Sequence, residues 1–220
     1  MAEIIYEIIR SDRKSMALVV DAGAKLVVRA PLRAKVSDIS DFVTKNARWI
    51  EEKQREAAKL NAKYSPVVFE SGGKLPYLGE TYAIQKTAVA DVRILGANIL
   101  VPEGYSQADA IAWLKSEAKA LLKARVELFA GKMGLSYTCV RLSGAKTRWG
   151  SCGAKNSLNF AWRLIMCPLA IIDYVVVHEL CHTVHKNHSR AFWASVAAIL
   201  PDYKARKAWL KTNRRLMEII

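Results

Sequence analysis

The stretch VVVHELCHTVHKNHS, residues 175–189, decides how the rest of the chain is interpreted. The chain has four histidines, and all of them fall between His178 and His188. Residues 178–182 form an H-E-x-x-H pattern, and the apolar run IIDYVVV precedes it. Residues four apart lie one turn apart on the same face of an α-helix. The stretch therefore predicts a buried helix that presents His178 and His182 side by side.

This histidine pair predicts a metal centre. Two imidazoles on one helical face can bind one zinc ion, and the intervening Glu179 can take a proton from a water molecule. A hydrolytic zinc site needs a third protein ligand. On an unbroken helix His185 would lie roughly 10 Å along the axis from His178, too far to share the ion. His188 can return to the pair if the chain turns after the helix, and Asn187 suits such a turn. We therefore predict zinc ligands at His178, His182 and His188, a general base at Glu179, and His185 outside the ligand set.

Composition favours a globular protein of the cytoplasm. The chain has 220 residues, 52% of them hydrophobic, which suits one large domain or two small ones. No apolar run reaches the roughly 18 residues of a membrane span, and the N-terminus lacks the pattern of a secretory signal. The four cysteines show no C-x-x-C spacing, so we expect reduced thiols. These observations predict a cytoplasmic location and no membrane partner.

The formal net charge is +14. A charge of this sign can attract nucleic acid or nucleotides, and the alternative is a set of lysines on solvated helix faces. Basic residues are spread along the chain, with one local patch at residues 204–215, KARKAWLKTNRR. Weak binding to nucleic acid is therefore one partner prediction.

The hydrophobic pattern predicts an α+β fold. Strand-like runs occupy residues 4–31, a single amphipathic helix is expected from Ser37 to about Ala62, and short strands fill residues 64–105. Ser37 or Asp38 can cap that helix. A long helix follows Ser106, which forms a near capping box with Asp109, and Gly131 or Gly134 is expected to end it. We expect a β-rich N-terminal region, 1–105, with one helix, and a metal-binding catalytic region, 106–220. The two regions can share one core.

Several motifs together resemble the YgjP-like metallopeptidase domain, a relative of the SprT-like proteases. They are KTRWGSC at 146–152, the run from Ser157 to His182, NHSRAFW at 187–193 and LPDYKARKAWL at 200–210, with IIRSDRKSMALVV at 8–20 near the start. The resemblance implies a zincin-like C-terminal half, with the H-E-x-x-H helix beside a small sheet and the third histidine in NHS. It also implies a metal-dependent hydrolase. His185 stands where relatives more often carry another polar residue, which puts the surroundings of the ligands in doubt.

Further residues are candidates for contact with the substrate. Arg148 can bind a carboxylate or phosphate, or it can pair with a buried acid. Tyr203 can stabilise an oxyanion if the last helices fold back, with Tyr174 as a weaker candidate and structural roles as the alternative for both. Cys152 and Cys181 are expected to be packed thiols.

Four functions are compatible with these features. The leading prediction is a zinc-dependent metallopeptidase-like hydrolase. The resemblance also allows a nucleotide pyrophosphatase acting on UTP, although no P-loop is present, and a DNA-associated protease like the SprT-like proteins. A structural zinc domain is the fourth reading, and the position of Glu179 argues against it, because a closed site has no use for a base.

Overall fold

The computed structural model describes residues 4–21, 23–63 and 65–220. Within them, the chain has the α+β class that the sequence predicts, with six α-helices and three small sheets. The chain folds into two compact units, divided after Ser65. None of the helices among the described residues is long and apolar enough to cross a membrane. The predicted boundary at residue 105, between a β-rich region and a metal-binding catalytic region, stays a prediction.

The first unit contains one sheet and two helices. Its central strand is parallel to the first strand and antiparallel to the second. The elements are β1 Tyr6–Ser11, β2 Ala17–Val20, β3 Leu26–Pro31, α1 Val36–Lys45 and α2 Ala47–Lys63. Apolar residues of β3 and of the helices form its core, among them Leu26, Val28, Ile39, Val43 and Ile50.

The prediction of a single helix in this region was wrong. The helical stretch is interrupted at Asn46, whose side-chain amide donates to the Phe42 carbonyl at 2.7 Å. This side chain thereby competes with the helical backbone bonds, as asparagine commonly does. The cap was also misplaced. Lys35 precedes the first turn without any side-chain cap, and Asp38 lies inside that turn, where its charge suits the helix dipole.

The second unit begins with a four-stranded sheet. Its strands are β4 Lys74–Tyr77, β5 Glu80–Thr87, β6 Arg93–Leu95 and β7 Asn98–Pro102, in the spatial order β4-β5-β7-β6. A tight turn joins β4 to β5, with positive φ at both Leu78 and Gly79. The amide of Leu78 donates to the Ile165 carbonyl, and that of Gly79 donates to the Met166 carbonyl. A Cβ on Gly79 would lie 2.8 Å from the Cα of Pro168, so this turn is packed closely against the chain.

The long helix α3, Gln107–Met133, has the ends that the sequence predicts. Ser106 and Asp109 form a reciprocal capping box, and Gly134 closes the helix in the left-handed conformation. One face of α3 is buried along its length, at Ala110, Leu114, Ala118, Leu122 and Val126.

The remaining elements carry the histidines. They are β8 Cys139–Ser143, β9 Gly150–Cys152, β10 Ser157–Ala161, α4 Leu169–Cys181, α5 Arg190–Ile199 and α6 Tyr203–Thr212, with short 3-10 turns at Trp162–Met166 and Arg214–Met217. The sheet order is β8-β10-β9, so β9 is an edge strand, antiparallel to β10. The apolar residues of α4 are buried on several sides, which explains the continuous apolar run before His178.

A bidentate ion pair joins α3 to α4. Arg125 donates from Nε and Nη2 to the two carboxylate oxygens of Asp173, at 2.6 and 2.7 Å, and both side chains are largely buried.

We expect Asp173→Asn to lower the free energy of unfolding by about 2 kcal/mol, because the Arg125 charge then loses its partner. Chemical denaturation measures this change. Lys123→Gln is the matched control, since its exposed contact with Glu127 at 3.9 Å contributes little. Equal effects of both substitutions would contradict the prediction.

Candidate metal centre

Three histidines converge at the end of α4. One ligand nitrogen from each of His178, His182 and His188 lies within 4.8 Å of the others. The Nε2 atoms of His178 and His188 are 3.1 Å apart. Two nitrogens bound to one tetrahedral zinc ion would lie about 3.3 Å apart, because each Zn–N bond is about 2.0–2.1 Å. The donor set and its spacing therefore fit a single ion held by three imidazoles.

The chain turns earlier than the sequence suggested. Helix α4 ends at Cys181, so His182 is its C-cap. Residues 182–184 form a turn, and the amides of residues 183–185 bond back to Leu180 and Cys181. Asn187 does not adopt the left-handed conformation; its side chain instead accepts from the Ser189 amide at 3.3 Å. Early termination frees the following residues to curve back, and this brings His188 to His178.

His185 supports this turn with its backbone. Its carbonyl lies 2.8 Å from Nδ1 of His182, which orients that ring and leaves Nε2 for a metal. The His185 ring lies outside the histidine cluster, where its Nε2 is 3.1 Å from the Ser195 hydroxyl. His178 differs from His182, because its buried Nδ1 has no hydrogen-bond partner among the described residues.

Aromatic side chains pack against the three imidazoles. Phe192, which is fully buried, stacks on His182 with 4.5 Å between ring centroids. Trp193 stacks on His188 with 5.5 Å between ring centroids, and Tyr203 stacks on Trp193 at 5.2 Å. Phe192 and Trp193 therefore pack directly on the histidines, a relation that the sequence pattern does not indicate.

Burial keeps the first histidine neutral. It lowers the pKa of His178 to about 3, assisted by the nearby charges of His182, His188 and Lys207. Burial and the charges of His182 and Lys207 also lower the pKa of His188. Lys207 lies above the Trp193 ring, 4.4 Å from its centroid. Neutral imidazoles are the form that binds metal ions, so these surroundings suit ligands.

Glu179 lies beside this cluster and is 5% exposed. Burial raises the pKa of its carboxyl to about 7, and the positive charge of Arg148 opposes that rise. Strand β9 approaches the carboxylate closely at Gly150, where a Cβ would lie 2.7 Å from Oε1. Only glycine leaves this space to the Glu179 side chain. Sequence reasoning missed this role of Gly150, because the contact joins residues distant along the chain.

The candidates for contact with substrate, Arg148, Tyr174 and Tyr203, differ in their relation to the histidines and Glu179. Arg148 is exposed and makes no ion pair within 4 Å among the described residues, although its charge acts on Glu179. Tyr174 is buried, with its ring centroid 5.8 Å from that of His178, and its pKa is raised to about 12 by burial and by Glu179 and Tyr203. Tyr203 stacks on Trp193, which in turn stacks on His188.

The cysteines take no part in the cluster. All four are free thiols. Cys181 is buried, and burial raises the pKa of the partly buried Cys152 thiol. A protonated thiol is a weak nucleophile, which agrees with the expected packing role.

Comparison with known proteins assigns the chain to a family. No curated protein and no solved structure gives a significant match. A family model, the YgjP-like metallopeptidase domain, matches residues 14–213. Such a family implies a metal-dependent hydrolase that acts on peptides or proteins, and the histidine cluster could hold the metal ion. Because the match covers most of the 220 residues, the chain belongs to the YgjP-like metallopeptidase family.

Proposed function

We propose that the chain is a zinc-dependent peptide hydrolase with Glu179 as its general base. The observation that carries this proposal is the meeting of three imidazole nitrogens within 4.8 Å beside a buried carboxylate. A donor set of three nitrogens favours zinc over magnesium or calcium, which prefer oxygen ligands. His178, His182 and His188 would hold the ion. When bound, it would supply a Lewis acid that polarises a carbonyl and acidifies water.

Glu179 is suited to move a proton. It follows His178 directly on α4, and Gly150 leaves room for its carboxylate. A general base is most effective when its pKa lies near the working pH, and burial brings Glu179 to about 7. The same carboxyl can afterwards deliver the proton to the leaving amine. Arg148 limits the rise in pKa and keeps a useful fraction of Glu179 ionised near neutrality.

Strand β9 offers a place for the peptide. It is an edge strand of its sheet and lies against the metal helix α4. An extended peptide can pair with such an edge through backbone hydrogen bonds, which would lay its scissile bond beside Glu179. Arg148 and Tyr203 are the proposed groups for contact with substrate or oxyanion. The charge of Arg148 acts on Glu179, and Tyr203 stacks on Trp193, which in turn stacks on His188.

Metal analysis tests the ligand set directly. We expect about one zinc ion per chain by elemental analysis, lost in His188→Ala and kept in His185→Ala. The matched pair is informative because His185 acts through its carbonyl, which alanine retains. Zinc lost with His185→Ala and kept with His188→Ala would mean that the third ligand is wrong. No zinc in any sample, even after reconstitution, would remove the hydrolase proposal.

A nucleotide pyrophosphatase is the second candidate. The observation that favours it is a group of cations, Arg148, Lys211 and Arg214, that line one cleft, and the charge of Arg148 acts on Glu179. The nitrogen donor set is less favourable for it, because phosphoryl transfer usually relies on Mg²⁺ and carboxylates. Parallel assays with peptides and UTP separate the two. UTP hydrolysis that disappears in His178→Ala, without peptide cleavage, would support the nucleotide. DNA association stays a prediction from net charge.

A further inference from the structure

A small cleft is lined in part by Arg148, whose charge acts on the proposed base Glu179. It has a volume of about 200 Å³. One wall is the segment Thr147–Trp149, immediately before β9, and the other comes from the end of α6 and the turn after it, with Leu210, Lys211, Arg214 and Met217. We call it the basic cleft. It stands apart from the histidine cluster, since none of the three ligands lines it.

The positive charges of the basic cleft have no close ion-pair partners among the described residues. Arg148, Lys211 and Arg214 line it, no carboxylate does, and none of the three makes an ion pair among the described residues. Neighbouring arginines are different, since Arg206 pairs with Asp202 and Arg215 with Glu218. Lys211 and Arg214 both line the cleft, so their like charges face the same space and repel each other. An anion in the cleft would relieve this repulsion.

The floor of the basic cleft is apolar. Leu210 and Met217 are buried, and Trp149 is half-buried. A cationic rim over an apolar floor fits a side chain with a methylene stem and a terminal carboxylate. A nucleoside triphosphate would bring several charges onto that apolar floor. The chemistry of the lining therefore favours an acidic amino-acid residue over a nucleotide.

The position of the basic cleft relates it to the cleavage site. Arg148 is two residues before Gly150, which contacts Glu179, and the Arg148 charge interacts with that carboxylate. A peptide paired with the edge of β9 would pass the segment 147–149 as it leaves the strand. One of its side chains, or its terminal carboxylate, would then reach the cleft.

We propose that the basic cleft binds a carboxylate of the peptide substrate and selects peptides with an acidic residue beside the scissile bond. The inference rests on the proposed peptide hydrolase and deepens it. Lys211 and Arg214 are then specificity-determining residues that do not take part in the chemical step.

Binding to a protein that cannot turn over tests this inference separately from catalysis. Zinc-loaded Glu179→Gln protein is immobilised and offered synthetic peptide pools that contain either Asp and Glu or the neutral Asn and Gln. We expect the acidic pool to be retained about tenfold more strongly, with the preference reduced by high salt. Adding Lys211→Gln and Arg214→Gln should abolish the preference. Pools with free and amidated C-termini show whether a side chain or the terminal carboxylate is bound.

The control removes the same number of charges elsewhere. Lys115→Gln with Lys119→Gln on α3 lowers the net charge equally and should leave the preference unchanged. Loss of preference in this control would reduce the effect to net charge and overturn the inference. Selective retention of UTP, lost only in the cleft variant, would reassign the basic cleft to phosphate. Cleavage of both pools at equal rates by the unchanged protein would sink the inference while the proposed hydrolase stands. Acid-selective binding without any peptide cleavage would support the carboxylate site and overturn the proposed hydrolase.

Discussion

Glu179→Gln is expected to lower kcat/KM for peptide hydrolysis by about 10²- to 10⁴-fold while zinc content stays unchanged. Glutamine has nearly the same shape as glutamate, so it fits the space beside Gly150. Its amide cannot accept the proton that the carboxylate accepts. Because Glu179 is 5% exposed, bulk water has little access to replace it. Steady-state kinetics and elemental analysis on the same preparation separate loss of the base from loss of the metal.

Glu103→Gln is the matched control for this substitution. Glu103 is exposed, and its neutralisation makes the same chemical change away from the histidines. We expect it to retain full activity. Full activity of Glu179→Gln would remove the assigned base, and loss of zinc in that variant would give Glu179 a structural role in the site instead.

Gly150→Ala is expected to lower kcat/KM by about 10- to 100-fold, with zinc content and folding retained. The added Cβ would lie 2.7 Å from Oε1 and 2.8 Å from Cγ of Glu179, closer than van der Waals contact allows. Either the carboxylate or strand β9 must move, and a displacement near 1 Å in an active site can cost about 10²-fold in rate. Kinetics, zinc analysis and circular dichroism measure the three properties.

Gly144→Ala makes the same substitution in the loop that precedes β9. A Cβ at Gly144 meets no atom within 4 Å, so this variant should behave like the unchanged protein. If Gly150→Ala also retains full activity, the position of the Glu179 carboxylate beside β9 is not important for the reaction. If Gly150→Ala loses zinc or unfolds, Gly150 is required mainly for folding and not for positioning the Glu179 base.

The sequence predicts those parts of the molecule that depend on local geometry. The H-E-x-x-H spacing brings His178 and His182 together because the period of a helix is fixed. The caps at Ser106 and Gly134 could likewise be predicted, since both depend on residues within one or two turns. The meeting of His188 with this pair required only that the chain turn, and the ten-residue separation allowed it.

Other features depend on contacts that a single sequence does not show. Asn46 interrupts a helix whose apolar pattern continues through it, and its own side chain causes the interruption. The chain turns at His182, before Asn187, and the group that contacts the His182 ring is the backbone carbonyl of His185, which residue type does not indicate. Gly150 meets Glu179 across the interface between a sheet and a helix. Neither residue type nor spacing indicates that last contact.

The turn at Leu78 and Gly79 has an evolutionary consequence. Loops between antiparallel strands commonly tolerate insertions, since extra residues extend into water at little cost. Here the amides of this turn bond to residues 165 and 166, and Gly79 packs on Pro168, the residue that precedes the metal helix. An added residue would break contacts that fix where α4 begins. Length variation among descendants of this chain should therefore accumulate at other loops, such as that around Gly104, where a side chain would meet only open space.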